Sequence, residues 1–450
     1  MGKQTPDKLK KAADSNGNSN SNVQLTIYSQ NLAHVKEKRE INLKTGIQSV
    51  EYTNVATEID PTSIIVEALA DEITVILEQD YEYDLESNSK LLDKYLGREI
   101  IVTDKEGFAH TGKLLSHDSG IVLHRKDKNI VSLPEISKIE FSDIETVFTK
   151  PTLIWKIDSL NSGKQDFLIS YLTSGISWRA EYVVKINEDY TKADIRSWAI
   201  IENRAGTDFE NTKIQLVAGE IHRVYTSQPK AMYLRGTAEK LISASADSFT
   251  EEGIFEHHLY SLERPTTLKN NQGKQISFIS ANNVLIEKEL VFDIWKGEKI
   301  QVTLKTENSK KKGLGLPLPG GLVRIYKVDS EERLQFLGED QIEHTPEEGK
   351  IKITVGNAFD IKGKRIQTNY EKISDTLERL TYEITINNSK PEVQNLIVIE
   401  HLSGDWKIIE NSDPYEKIDA FTVEFKVSIA ASGVKTITYT VENKLQPPVR

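Results

Sequence analysis

Between Phe167 and Glu220 the chain alternates apolar with polar residues, and this period of two restricts its fold more than any other feature. Such alternation places successive side chains on opposite faces of an extended strand, one face buried and the other in water. Gly, Asn and Asp interrupt the runs, which is typical of antiparallel strands joined by tight turns. Similar runs recur from Val23 to Val441. The sequence therefore predicts an all-β protein.

The composition excludes several classes of function. No apolar run approaches the roughly 20 residues that a membrane-spanning helix needs, so we expect no transmembrane segment. The formal net charge of −11 opposes binding to nucleic acid, which requires a basic surface. Cysteine is absent, which excludes disulfides, thiolate metal sites and cysteine nucleophiles. The chain begins MGKQTPDKLKK, without the apolar core of an export signal. We expect a cytoplasmic protein, or an extracytoplasmic one of the periplasm or cell surface if a leader was removed.

A short helix and a compact set of strands are predicted after the first β region. The helix covers Ser89 to Gly97, and short strands with tight turns follow within residues 97–142. This second segment resembles the Sm-like and SH3-like barrels, since five residues fit the first Sm motif: Gly107, Gly112, Leu114, Asp118 and Ile121. Val122 stands where RNA-binding members carry an asparagine, and the second Sm motif is missing. The resemblance implies a barrel and argues against RNA as its ligand.

At 450 residues the chain is too long for one hydrophobic core, because domains usually span about 100–200 residues. The predicted fold is multidomain, with antiparallel β-sandwiches and an inserted small Sm/SH3-like barrel. The predicted domains are a disordered tail (1–22), an N-terminal β unit (23–88), the short helix plus small β-barrel (89–148), a central β-sandwich with a mobile loop at about 227–250 (149–312), and a C-terminal immunoglobulin-like β-sandwich (313–445).

Three longer motifs carry a resemblance to a known family. They are SGISWRAEYVV, WAIIENRAGTDFENTKIQLVAGE and the stretch from LPLPGGLVRIYKV to GKIKITVGNAFDI. In order along the chain they contain Trp178, Asn203, Gly219, Pro319-Gly320, Gly338-Glu339-Asp340 and Thr345-Pro346. About residues 167–441 resemble the mucoidy-inhibitor-A-like family, which is defined by a domain of unknown function. The resemblance implies a β-rich fold with no assigned enzymatic activity. Many members carry a coiled coil that this chain lacks.

Histidines of the predicted barrel are the first candidate ligand residues. His110, His117 and His124 recur every seven residues, and imidazoles brought together across a hairpin bind Zn²⁺ or Cu²⁺. Odd spacing along one strand alternates faces, however, so solvated histidines are the expected outcome. We predict neither a metal nor a cofactor. The possible ligand surface comprises His110, His117, Asp118, His124 and Arg125.

Other patterns also allow two interpretations. Asp80, Glu82 and Asp84 share one face of a predicted strand, and paired carboxylates can hydrolyse glycosides, although a wet acidic face over two packed tyrosines explains the pattern more simply. Adjacent histidines in the cluster Glu256, His257, His258 and Glu263 point to opposite faces of a strand, which disfavours a metal site. The five tryptophans could line a sugar platform, but core packing is the expected role: Trp155, Trp178, Trp198, Trp295 and Trp406.

The sequence contains no catalytic motif, such as a G-x-S-x-G elbow or a Walker phosphate loop. We therefore predict a non-catalytic binding or structural module of the cell envelope, with a protein or glycan as its partner. One alternative is a nucleic-acid-binding or oligomerisation role for the small barrel, in which the protein forms a homo-oligomer. A second alternative is a carbohydrate-active enzyme.

Overall fold

The computed structural model describes residues 22–53, 55–69, 74–83, 87–141, 148–222, 249–254 and 257–444. About 68% of the chain is strand and 4% is helical, with several antiparallel sheets. The predicted all-β class is confirmed. Nearly all of the predicted tail and of the predicted loop at about 227–250 lies outside the described residues.

Strands in the first half of the chain are short and closely spaced, with one α-helix among the described residues: β1 Asn22–Tyr28, β2 Leu32–Leu43, β3 Gly46–Thr53, β4 Ile65–Ala68, β5 Val75–Glu82, α1 Asn88–Lys94, β6 Glu99–Asp104, β7 Ala109–Ser116, β8 Ile121–His124, β9 Ile130–Leu133, β10 Ile136–Phe141, β11 Thr152–Ser159, β12 Gly163–Thr173, β13 Ile176–Ile186, β14 Lys192–Asn203 and β15 Phe209–Ala218.

Strands in the second half include longer hairpins: β16 Phe249–Ile254, β17 His257–Leu262, β18 Thr266–Leu268, β19 Gln272–Leu285, β20 Glu287–Asp293, β21 Lys299–Glu307, β22 Gly321–Val328, β23 Leu334–Ile342, β24 Lys350–Ser374, β25 Leu377–Asn388, β26 Gln394–His401, β27 Asp405–Asn411, β28 Tyr415–Lys417, β29 Thr422–Ile429 and β30 Val434–Lys444. Single 3-10 turns occur at Pro61–Ser63, Ile294–Lys296 and Lys310–Lys312.

The chain forms two compact units, and both are discontinuous in sequence. Unit 1 consists of Met1–Ser177, Glu202–Leu216 and Ser261–Lys274. Unit 2 consists of Trp178–Ile201, Val217–Tyr260 and Gln275–Arg450.

Unit 1 contains two sheets whose inner faces meet. In the larger one the strand order is β15-β1-β2-β12-β4, and the smaller one has the order β3-β11-β5. Apolar residues at alternate positions of these strands are fully buried, among them Leu25, Phe167 and Trp155. Tyr52 on β3 reaches Glu37 on β2 with its hydroxyl, so the two sheets are joined by a polar contact as well as by apolar packing.

Unit 1 also contains the small sheet, with the order β10-β6-β7-β8-β9 and antiparallel neighbours throughout. Helix α1 precedes it, and Ser87 Oγ caps the helix by accepting a hydrogen bond from Lys90 N–H at 3.2 Å. Leu92 and Tyr95 pack onto the sheet and complete a separate apolar core with Ile100, Val102, Leu114, Ile121, Leu123 and Leu133. The predicted helix is confirmed, with slightly shifted ends.

Unit 2 contains a sheet of order β19-β14-β13-β22-β23 and a long sheet of order β27-β30-β25-β24-β21-β20-β26-β29-β28. Two pairs in these sheets are parallel, β13 with β22 and β20 with β26. At the first parallel pair the backbones approach closely, since a Cβ on Gly321 would lie 2.2 Å from Ala180 O. Among the described residues, no helix is long and apolar enough to cross a membrane.

Candidate functional site

Two of the predicted ligand histidines are held by separate carboxylates. His110 Nε2 on β7 lies 2.8 Å from Asp104 Oδ2 on β6. His117 Nε2, just beyond β7, lies 2.8 Å from Asp93 Oδ1 on α1. The bond to His110 and the backbone N–H of Phe108 lower the pKa of the Asp104 carboxyl, although burial opposes the shift. Each imidazole therefore takes part in a local contact that supports the small sheet.

The other three residues of the predicted ligand surface lie at turns and strand ends. Asp118 forms an isolated bridge with Gly120, and His124 is exposed at the end of β8. Arg125 lies 3.8 Å from Asp127 Oδ2, an exposed ion pair. In the described part of the chain, no group of three or more His, Cys, Asp or Glu side chains is placed to hold a metal ion.

The structure separates the remaining candidates. Asp80 is exposed on β5, whereas Asp84 and Glu256 lie outside the described residues. His258 Nδ1 contacts Glu251 Oε1 at 2.8 Å.

The tryptophan prediction holds for Trp155 and Trp178, which are buried, and it is wrong for Trp295, which is 74% exposed. Trp295 stacks on His401 with the ring centres 4.2 Å apart. Its exposure places the 3-10 turn that carries it at the surface of unit 2.

A cleft of about 500 Å³ in unit 1 brings together ionic side chains that no sequence motif identified. We call it the unit 1 cleft. Apolar side chains from β1 and β2 form part of its wall, together with Pro151 and Phe209. Its charged and polar side chains come from β2, the segment before β11, β12, the loop before β15, β15 itself and the turn after β18: Glu37, Arg39, Lys150, Tyr171, Thr207, Asp208, Glu210 and Asn270.

At the cleft, the guanidinium of Arg39 forms an ion pair with Glu37 and lies over the ring of Tyr52. Arg39 Nε donates to Glu37 Oε1 at 2.7 Å, and Tyr52 Oη donates to Glu37 Oε2 at 2.5 Å. Arg39 Cζ also lies 4.3 Å from the centre of the Tyr52 ring, which in turn stacks on Trp155 at 5.0 Å. Glu37 is only 6% exposed, so its charge depends on these two donors.

The surroundings of this cluster raise the pKa of three of its groups, namely Arg39, Tyr52 and Tyr171. Burial raises the pKa of both the Tyr52 and Tyr171 hydroxyls, and the neighbouring Glu37 charge adds to the shift. The pKa of Arg39 is also raised; burial opposes the shift, but the Tyr52 and Glu37 partners outweigh it. None of these shifts brings a group toward neutral pH, where general acid–base catalysis would need it.

The guanidinium has hydrogen-bonding capacity left over. Only Nε of Arg39 finds an acceptor among the described residues, and that acceptor is Glu37. The side chain of Arg39 is 23% exposed and lines the cleft. A guanidinium offers five N–H donors in a planar fork. Its two terminal nitrogens are therefore available to a ligand, in an orientation set by Glu37 and by the Tyr52 ring.

A rigid turn forms the rim of the cleft. Buried Asn203 donates through Nδ2 to Thr207 O at 2.9 Å and to Leu268 O at 3.2 Å. Asn270 N–H donates to Asp208 Oδ1 at 2.7 Å, which fixes one cleft carboxylate. Gly206 has a φ of +83°, and a Cβ there would lie 1.9 Å from Thr57 Oγ1. The WAIIENRAGTDF motif thus encodes a turn that only glycine permits.

Sequence reasoning missed Glu37 and Arg39, although a signal for them exists. Both have the same parity on β2 as Val35, Ile41 and Leu43, the residues that face inward. An ionisable residue at a core parity must be paired or open to a cavity, because an isolated buried charge is too costly. Both conditions are met here, because Glu37 is paired with Arg39 and both side chains line the unit 1 cleft.

Comparison with known proteins adds no assignment. No protein-family model matches the chain, and no curated protein matches it.

Proposed function

We propose that this chain is a non-catalytic binding or structural module of the cell envelope, and that the unit 1 cleft holds its ligand. The observation that carries the proposal is the Arg39 guanidinium, which is oriented by Glu37 and Tyr52 and has two nitrogens open to the cleft. Donors held rigidly in this way bind a ligand without losing side-chain entropy on association.

The ligand we favour is a glycan. The cleft offers the donors of Arg39 beside the acceptors of Asp208, Glu210 and Asn270. Sugar hydroxyls are both donors and acceptors, so they complement a wall of mixed polarity. The carboxylates in the cleft disfavour a strongly anionic ligand.

Isothermal titration calorimetry with soluble muropeptides and a neutral glucan oligosaccharide tests this proposal. We expect Arg39→Lys to weaken binding about tenfold, because a single ammonium replaces the planar fork while the charge beside Glu37 remains. Arg365→Lys is the matched control. Arg365 also donates through Nε to a buried glutamate, Glu400, at 2.8 Å and stacks on a tyrosine ring, but it belongs to unit 2. Equal affinity of Arg39→Lys and wild type, or no glycan binding at all, would refute the proposal.

The alternative of a carbohydrate-active enzyme has one observation in its favour. Asp208 and Glu210 both line the cleft, and paired carboxylates are the usual catalytic groups of glycosidases. Release of reducing ends from the same glycans, abolished by Asp208→Asn, would replace the binding proposal by this one.

An oligomerisation role for the small sheet also remains a proposal. Its edge strands β9 and β10 have one side unpaired within the sheet, and Ile130 on β9 is 66% exposed. The strand order supports the Sm-like description. Lys126 pairs with Glu99 at 3.2 Å, which reduces its attraction for nucleic acid. Sedimentation of wild type and of Ile130→Lys would decide the matter, since a monomeric wild type excludes this role.

Membership of the mucoidy-inhibitor-A-like family and the immunoglobulin-like description of residues 313–445 are proposals as well. Their support is the set of sequence motifs between residues 167 and 441 and the strand-rich character of that region. A family relationship would agree with a binding role outside the cytoplasm.

A further inference from the structure

Tyr190 lies in the turn between β13 and β14 of unit 2, and that turn is tightly organised. Asn187 Oδ1 accepts the backbone N–H groups of Thr191 at 2.9 Å and of Lys192 at 3.0 Å. Tyr190 itself has a φ of +58°, an uncommon conformation for a residue with a large side chain. The hydrogen bonds of the turn fix the backbone of Tyr190 and so restrict the orientation of its side chain.

Two lysines from separate strands contact this phenol, and a third acts on it electrostatically. Lys327 Nζ on β22 donates to Tyr190 Oη at 2.9 Å and to Glu188 O at 3.3 Å. Lys288 Nζ on β20 lies 4.4 Å from the centre of the Tyr190 ring, on which Lys390 also acts electrostatically. The hydrogen bond from Lys327 is the main cause of a lowered pKa for the Tyr190 hydroxyl.

The positive charges of this cluster are poorly compensated. Among the described residues, no carboxylate forms an ion pair with Lys288, Lys327 or Lys390. Burial lowers the pKa of Lys288, and the charge of Lys390 lowers it further, while Glu392 opposes the shift only in part. In a protein with a net charge of −11, lysines without an ion-pair partner form a local positive surface that can attract an anion.

Space for an anion lies on the Lys327 side of the cluster. A cavity of about 780 Å³ is lined by Lys327 together with Lys185, Asn187, Ser330 and Gln335. Two acids, Glu188 and Asp329, also line it. Asp329 already accepts hydrogen bonds from Arg333 Nε at 3.0 Å and from Gln335 Nε2 at 2.8 Å, so its charge is largely compensated.

We propose that Lys327 and the Tyr190 hydroxyl, with the nearby charge of Lys288, form a binding site for the phosphate or sulfate ester group of a ligand. The lysines supply charge and N–H donors to the ester oxygens. The phenol accepts from Lys327 and donates its own proton to the anion. This site is separate from the unit 1 cleft and does not depend on the function proposed for it.

Titration of the full chain with inorganic phosphate, and separately with inorganic sulfate, tests the site at low ionic strength. We expect Lys327→Gln to weaken binding about tenfold, the value of one charge-assisted hydrogen bond. Lys352→Gln removes the same charge from an exposed position on β24 and should bind as wild type does. A preference for one anion would identify which ester the site takes.

A second readout is the absorbance of the tyrosinate, taken as the difference between wild type and Tyr190→Phe. A bound anion beside the phenol should raise the pKa of Tyr190, while chloride at the same ionic strength should not. Tyr190→Phe retains the three lysines and should weaken anion binding less than Lys327→Gln. Equal affinity of Lys327→Gln and Lys352→Gln, or equal effects of phosphate, sulfate and chloride on the tyrosinate, would overturn the proposal.

Discussion

Replacing Glu37 by Gln should destabilise unit 1 strongly, although the two side chains have the same shape. Glu37 accepts from Arg39 Nε at 2.7 Å and from Tyr52 Oη at 2.5 Å, one bond on each carboxylate oxygen. Glutamine keeps one acceptor oxygen and turns its other atom into a donor. The bond from Arg39 Nε then has a neutral acceptor, and the Tyr52 hydroxyl must turn its proton away and accept from the amide N–H instead.

The size of the effect follows from these two losses. A hydrogen bond to a charged group contributes about 1.5–3 kcal/mol and a neutral one about 0.5–1.5 kcal/mol. Loss of the carboxylate charge from both bonds should together lower the free energy of unfolding by about 2 kcal/mol. The cleft is open to water, which keeps the cost near this value because water can hydrate the Arg39 guanidinium once the carboxylate charge is removed.

Native-state hydrogen exchange in rising denaturant measures the effect on peptides from β2 and β12. Glu40→Gln is the matched control on the same strand, since Glu40 forms an exposed pair with Lys164 at 2.6 Å and should change little. If Glu37→Gln costs less than about 1 kcal/mol, or no more than the control, the cluster does not hold the two sheets of unit 1 together.

Three further predictions concern other parts of the chain. Burial raises the pKa of the Glu400 carboxyl above its ordinary 4.5, so the folded state binds more protons than the unfolded state just above that pH. The stability of wild type relative to Glu400→Gln should therefore fall as pH rises from about 4.5 through the raised pKa, as measured by urea unfolding at several pH values; a flat difference contradicts the shift. Gly321→Ala should cost at least about 2 kcal/mol in thermal unfolding, since its Cβ meets Ala180 O, while Gly273→Ala meets nothing within 4 Å and should be neutral or stabilising. Leu114→Ala should cost about 2–5 kcal/mol in hydrogen exchange of the small sheet, and exposed Leu115→Ala should cost little; equal costs would contradict a separate core there.

Local patterning made several features predictable. The alternation that predicts strands also predicts which faces are buried, as in β12 and β13, where alternate residues are buried. The helix before the small sheet could be predicted because its apolar residues recur at helical spacing and Gly97 suits its end, whereas the cap at Ser87 was seen only in the structure. Exposure of Trp295 could not be predicted, because its 3-10 turn interrupts the strand pattern that made burial the expected outcome.

The candidate sites depended on contacts that no local pattern contains. Glu37 and Arg39 stand out in sequence only as charges at inward-facing positions, and the pairing of Glu37 with Tyr52 requires two sheets to meet. The predicted histidine surface illustrates the same limit. A spacing of seven residues brought His110 and His117 to two different carboxylates instead of to one ligand.

By itself the sequence determined the class of fold, the strand faces and the composition of each turn, because these follow from side-chain periodicity and from the dihedral preferences of neighbouring residues. Only the tertiary structure decided which strands pair, including the parallel pair of β13 and β22, and which charges converge, including Lys288 and Lys327 on the ring of Tyr190. The physical reason is that strands distant in sequence are brought together by the burial of their apolar faces. The sequence around a charge on one strand therefore does not reveal which charges of other strands will lie beside it.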